Sequence, residues 1–282
     1  MLVATRLVMI RRVARIAGVC PPDRRVIDSA LAYIASLFAS TGFWMPAVVV
    51  FIAGLMRGFA GFGSAMLMAP VFAVLFGPTD MIATVVAIEL AVSLQLFPAA
   101  RRDCDWRIIG PMSVVACLAM PLGAWLLASV DKGLIVKAVS GIIVVFVAIM
   151  ATGVRYRGQR SVAAGMAVGA VSGVMMATTS VGGPPVLMYL LAGNDPPVRH
   201  RANIITYYMA TQFPLILIMF WYGLAGVGSI ARGLVLLPLM LLGAWVGRLL
   251  FDPRNERLYR NVTLVILFGA GAFGLLRDWI MG

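Results

Sequence analysis

Apolar residues in this chain come in long unbroken runs. Residues 112–130 and 134–150 show no alternation of apolar and polar positions. A transmembrane barrel would alternate over strands of about 10 residues, whereas a membrane-crossing helix needs about 20 consecutive apolar ones. The pattern predicts ordinary helical spans over residues 81–99, 108–128, 134–152, 202–222, 230–250 and 258–276. Two further apolar stretches, 44–76 and 163–191, are interrupted by glycine and proline. A weakly apolar stretch, 27–43, precedes them and is a candidate first crossing.

The interruptions carry most of the information. The first runs from Gly54 through Arg57, Gly58, Gly61 and Gly63 to Ser64, with Pro70 behind it. The second holds Gly169 and Gly173, then Thr178, Thr179, Ser180, Val181, Gly182, Gly183, Pro184 and Pro185. Gly and Pro are poor helix formers, and unwound backbone survives at membrane depth only where protein buries it or water lines it. The two breaks also recur. Gly63 and Gly182 are 119 residues apart, and the Gly-Ala-Trp triplets at Gly123 and Gly243 are 120 apart. Paired broken segments in two halves of a membrane protein point to a transport site.

Loop charge selects a topology. Basic residues cluster at 101–107, 155–160, 199–201 and 254–260, between the apolar runs. All four clusters fall on one side only if segment 163–191 enters the membrane and returns as a hairpin, as the positive-inside rule requires. By analogy segment 44–76 is also a hairpin. The expected fold is an all-α polytopic membrane protein of two inverted repeats, each a glycine-broken, re-entrant segment plus three transmembrane helices. Its parts are 1–43 (a basic cytoplasmic tail and first helix), 44–152 (first repeat) and 163–278 (second repeat).

Composition agrees with that reading. The chain has 282 residues, 62% hydrophobic and 12% charged, with a mean hydropathy of +0.98. A soluble domain carries about 25% charged residues. The net charge of +12 sits in the loop clusters, so nucleic acid is not an expected partner. Three cysteines without ligand spacing and a single histidine, His200, call for no metal and no cofactor. Membrane lipid surrounds such a chain, and a homo-oligomer is compatible with it.

The residues resemble those of the TauE/SafE family, the sulfite exporter or TSUP-type transporters, over roughly Met45 to the C-terminus. The family carries a Gly-x-Gly-Gly cluster in each half with a proline behind it. Gly61-Phe62-Gly63-Ser64 with Pro70 is similar to the first, and Ser180-Val181-Gly182-Gly183-Pro184-Pro185 to the second. Ser64 and Ser180 stand where glycine is usual, and each adds a hydroxyl. Arg57 to Gly63, Glu89, Asp105-Trp106-Arg107 and Arg201-Ala202-Asn203 also look like one branch of the family. The resemblance implies transport of small sulfur oxoanions and organosulfonates.

Arg57 and Glu89 are the ionisable residues read as lying deep in apolar segments. A charge at the centre of a membrane helix costs roughly 2.5–3.5 kcal/mol on insertion scales, so it has a partner or a task. Arg57 offers a bidentate fork to an anion. Glu89 is placed to carry a coupling proton. A structural Arg57–Glu89 ion pair is the competing reading. The candidate substrate site comprises Arg57, Gly61, Gly63, Ser64, Thr179, Ser180, Gly182, Gly183, Asn203 and Gln212. Its backbone N–H groups would bind an anion at half-helix N-termini. Asp80 and Asp195 are read as solvated caps.

The leading function is a secondary transporter moving small sulfur-containing anions across the plasma (inner) membrane, coupled to protons. A passive anion channel is the alternative. A membrane-embedded hydrolase ranks lower, because one membrane Glu and one loop His do not make a catalytic cluster. The chain has no phosphate-binding loop, and it is not expected to be an enzyme.

Overall fold

The computed structural model describes residues 44–60, 63–152, 161–192, 195–250 and 256–276. The chain divides into two compact units, Met1–Met45 and Pro46–Gly282. The expected span 27–43, the basic tail, and Gly61 with Phe62 lie outside the described residues. So do the loop 153–160 and residues 251–255. The description below concerns the second unit and the start of its first helix.

Every described element is helical. In chain order they are α1 (Trp44–Ala60), α2 (Ser64–Phe76), α3 (Pro78–Ala100), α4 (Trp106–Ser129), α5 (Lys132–Ala151), α6 (Val162–Thr179), α7 (Gly183–Leu191), α8 (Pro197–Trp221), α9 (Val227–Leu250) and α10 (Glu256–Leu275). Six of them, α3 to α6 with α8 and α9, are long and apolar enough to cross a membrane. Local chemistry sets the starts. Asp105 caps α4 by accepting from the Arg107 N–H at 3.2 Å. Asp131 accepts from the N–H groups of Gly133 and Leu134, at 2.8 and 3.1 Å, at the start of α5. Ser161 accepts from Ala164 N–H at 3.1 Å ahead of α6. These side chains satisfy N–H groups that have no partner within the helix.

The breaks are narrower than the glycine-rich segments suggested. Gly54 and Gly58 lie inside α1, and Gly169 and Gly173 lie inside α6. Their role is contact. A Cβ on Gly54 or Gly58 would strike the backbone of α9 at Met240 or Ala244. One on Gly169 or Gly173 would strike the backbone of α4 at Met112 or Ala116. Small residues let membrane helices approach this closely. Among the described residues of these two segments, the chain leaves helix at Gly63, which has φ 94°, and over Ser180–Gly182, where Ser180 has φ 61°.

Contacts fix the helix directions. Met112, Ala116 and Gly123 of α4 meet Gly169, Gly173 and Val174 of α6 in rising order, so the two helices are parallel. Gly54 and Gly58 of α1 meet Met240 and Ala244 of α9, again parallel. Gly233 of α9 meets Thr84 and Ala87 of α3, while Ser229 lies against Asp80, so α3 and α9 are parallel too. Two other pairs run in opposite directions. Ala100 of α3 packs with Ala202 and Ile205 of α8, while Ser93 pairs with Gln212, which makes these two antiparallel. Gly271 and Gly274 of α10 meet Val144 and Ser140 of α5, also antiparallel.

Helix α7 runs back along α6. Ser172 donates to the Gly182 carbonyl at 2.5 Å near the tip, and Tyr189 donates to the Ser161 carbonyl at 2.9 Å at the base. The pair therefore forms a hairpin that returns to the side where it began. Val114, Leu118, Leu122 and Trp125 form an exposed apolar stripe on α4, and Leu242, Trp245 and Leu249 repeat it on α9. In water such a surface would be an association patch; against acyl chains it is the expected solvent face.

Candidate functional site

Arg57 lies in the last turn of α1, Ser64 opens α2 and Glu89 sits in the middle of α3. The fold brings the three together. One guanidinium nitrogen of Arg57, Nη1, donates to Glu89 Oε2 and also to Ser64 Oγ, the latter at 3.2 Å. The Ser64 hydroxyl donates to Glu89 Oε1 at 2.5 Å. The cluster is deeply buried: Arg57 is 7% exposed, and Ser64 and Glu89 are each 1% exposed. Burying an ion pair is favourable only when the remaining lone pairs and protons find partners. Both Glu89 oxygens are satisfied, but the Nε–H of Arg57 is buried without a hydrogen bond.

The adjoining cleft lies between the two breaks. Gly63 lines it ahead of α2, Gly183 and Leu187 from α7, Phe146 from α5, and Tyr207 and Tyr208 from α8. Its cavity volume is about 20 Å³, room for roughly one water molecule, so an anion enters only as the cleft widens. Tyr207 donates to Ser172 Oγ at 2.7 Å and so braces the second hairpin. The Tyr208 hydroxyl lies against Gly183, where a Cβ would collide with it, and it feels the charges of both Glu89 and Arg57. Two adjacent tyrosines inside an otherwise apolar span were the available sequence signal for this wall. The sequence reading passed over them.

The remaining candidates separate into groups. Thr179 donates to the Met175 carbonyl at 2.7 Å and accepts from Val181 N–H at 3.2 Å, so its hydroxyl serves the end of α6. Gly182 presses on Ser172 and Met176 of α6, which makes it a hairpin contact. Ser180 is 5% exposed and takes the left-handed conformation at the tip. Asn203 accepts from Asp105 N–H at 2.8 Å and joins the start of α8 to the start of α4; it does not line the cleft. Gln212 accepts from Ser93 at 3.5 Å, about one turn beyond Glu89 on α3. Gly61 lies outside the described residues.

The two half-helix N-termini are not equivalent. Helix α2 begins at Ser64 after Gly63, and its first free N–H groups belong to non-proline residues. Helix α7 has Pro184 and Pro185 directly after Gly183, and proline has no N–H to offer. The anion-binding capacity of the helix ends is therefore concentrated at α2, beside Arg57.

A second polar cluster occupies the start of α3. Asp80 accepts from the Ser229 hydroxyl at 2.7 Å and lies 3.8 Å from Arg232, whose guanidinium stacks over the Phe76 ring at 4.1 Å. Asp80 is thus not a merely solvated cap: it ties α3 to α9. Outside the spans, burial pushes the Cys104 thiol above its ordinary pKa, helped by the Asp105 carboxylate. A neutral thiol is a weak nucleophile.

The family model for the sulfite exporter TauE/SafE matches residues 47–274. The chain belongs to the sulfite exporter TauE/SafE family. No curated protein and no solved structure matches the chain. Family membership makes this a multi-pass membrane protein of a transporter family with small anions as its substrate class.

Proposed function

We propose that this TauE/SafE protein is a secondary transporter of small sulfur-containing anions, sulfite or sulfonates, and that protons are coupled to the movement. One observation carries the reading: a buried guanidinium with an unpartnered Nε–H is bonded to Ser64, next to Gly63 in the wall of a small cleft that Gly183 and Tyr208 also line. The antiparallel run of α3 against α8 and of α5 against α10 supports an inverted repeat. In such repeats the substrate site lies near the bilayer midplane at the repeat interface, and access alternates as one half rocks against the other. The antiparallel run of α3 against α8 supports a common side for Arg101–Arg107 and Arg199–Arg201, and by the positive-inside rule we read that side as the cytoplasm of a plasma (inner) membrane.

The anion head would lie between Arg57, the first turn of α2 and the Tyr208 hydroxyl. The substrate's remainder would lie on Phe146 and Leu187. An apolar wall favours a sulfonate with a short organic part. The test is direct binding of sulfite, methanesulfonate and taurine to the purified protein, beside Tyr208→Phe. Losing one hydrogen bond to a charged ligand should weaken binding by roughly 1.5–3 kcal/mol, or about ten- to hundredfold. Unchanged affinity in Tyr208→Phe would remove that hydroxyl from the site. Absence of binding to the wild-type protein would contradict the proposed substrate class.

A further inference from the structure

We infer that Glu89 and the transported anion take turns on Arg57, so that each monoanion is bound together with one proton. The inference rests on the transport reading above. The Glu89 carboxylate occupies the guanidinium and accepts from both Arg57 and Ser64. It therefore sits as an internal anion, in the place an arriving oxyanion head would need. Two anions on one buried guanidinium would leave an uncompensated negative charge in a site of low polarity, which is strongly unfavourable. A proton added to Glu89 removes the conflict. The carboxylate becomes a neutral acid, the Ser64 hydroxyl is free to turn, and Arg57 keeps its charge for the incoming anion.

The charge balance is the same in both states. The empty site holds one guanidinium and one carboxylate. The loaded site holds one guanidinium, one monoanion and one neutral acid. Each totals zero, so the site reorients across the membrane without moving net charge, which membranes resist. A dianion would break that balance. The substrate class that follows is a monoanion, carried in the same direction as its proton.

Among the described residues, no other group is placed to take the proton's place. Glu89 faces Arg57 from α1, Ser64 from α2 and Tyr208 from α8. Helices α2 and α6 carry no ionisable acid or base. Lys132 and Lys137 of α5 are exposed. On α9, Arg232 is engaged with Asp80 near the start of α3, and Arg248 lies in that helix's last turn. The basic residues of α8, Arg199, His200 and Arg201, lie in its first turns, beside the far end of α3.

The full-length protein in detergent or nanodiscs tests the inference by calorimetry with methanesulfonate, an anion that stays singly charged across the working pH range. Titrations in buffers of different ionisation enthalpy should give uptake of about one proton per anion at alkaline pH, and affinity should fall about tenfold per pH unit there. Infrared difference spectra should show a carboxylic acid C=O band appearing with the anion. Glu89→Gln, which is always neutral, should bind methanesulfonate with no proton uptake and no pH slope. Binding to the wild-type protein with neither proton uptake nor a new acid band overturns the inference and leaves the transport reading standing. Retention of the full pH slope in Glu89→Gln also overturns it. If the wild-type protein binds neither methanesulfonate nor sulfite at any pH, the transport reading itself fails. The wild-type calorimetry and infrared readings do not depend on the variant folding.

Discussion

Arg57→Ala is expected to abolish anion transport and to destabilise the protein by about 3–5 kcal/mol, the typical effect of removing one partner from a buried ion pair. Glu89, 1% exposed, would keep only the Ser64 hydroxyl. The carboxyl can escape by taking up a proton. An unpaired carboxylate is costly to bury, and a proton to neutralise it is more available in acid. The variant should therefore unfold more readily at pH 8 than at pH 5. Adding Glu89→Gln removes the buried charge, so Arg57→Ala/Glu89→Gln should regain most of the stability and none of the transport. Thermal unfolding of the purified protein across pH reads the first effect, and flux reads the second. A stable Arg57→Ala protein with no pH dependence would mean that Glu89 does not need its partner.

The second large effect concerns the helix crossings. Gly173→Leu should cost at least the roughly 1–3 kcal/mol of an overpacked core, because a Cβ there would strike the backbone of Ala116, which cannot swing aside as a side chain would. Gly58→Leu should behave alike, since its Cβ would strike the backbone of α9 at Ala244. Gly110→Ala and Gly141→Ala are the controls. Nothing lies within 4 Å of a Cβ at either position, and Ala is the better helix former by up to about 1 kcal/mol. Size-exclusion profiles and melting temperatures should separate the two pairs clearly. Equal tolerance of Gly173→Leu and Gly141→Ala would contradict the close α4–α6 crossing.

Much of the fold was legible because lipid imposes a simple pattern. The expected spans 81–99 and 108–128 became α3 (Pro78–Ala100) and α4 (Trp106–Ser129), displaced by one to three residues where caps and prolines set the ends. Composition could not distinguish a glycine that breaks a helix from one that packs it. Gly54, Gly58, Gly169 and Gly173 looked like parts of the breaks and are contact points. That distinction depends on what faces the residue across the helix pair. Arg57 and Glu89 stood out as charges in apolar surroundings. Their direct pairing through Ser64 was one of two open readings, since spacing along the sequence does not reveal how a hairpin folds back. Arg232 was overlooked because it begins a span, near enough to the end to look like a loop residue. Its Asp80 and Phe76 partners come from elsewhere in the chain. Thr179 was a candidate as a hydroxyl in the second break and Asn203 as a polar residue at the edge of a span, and each has a backbone partner that only the fold supplies.

The most direct measurement is uptake of labelled methanesulfonate or sulfite into liposomes containing the purified protein, with and without an imposed pH gradient. Wild-type protein should accumulate the anion on the side made alkaline, Glu89→Gln should exchange anion for anion without responding to the gradient, and Arg57→Ala should do neither. Full, gradient-driven uptake by Arg57→Ala would contradict the account.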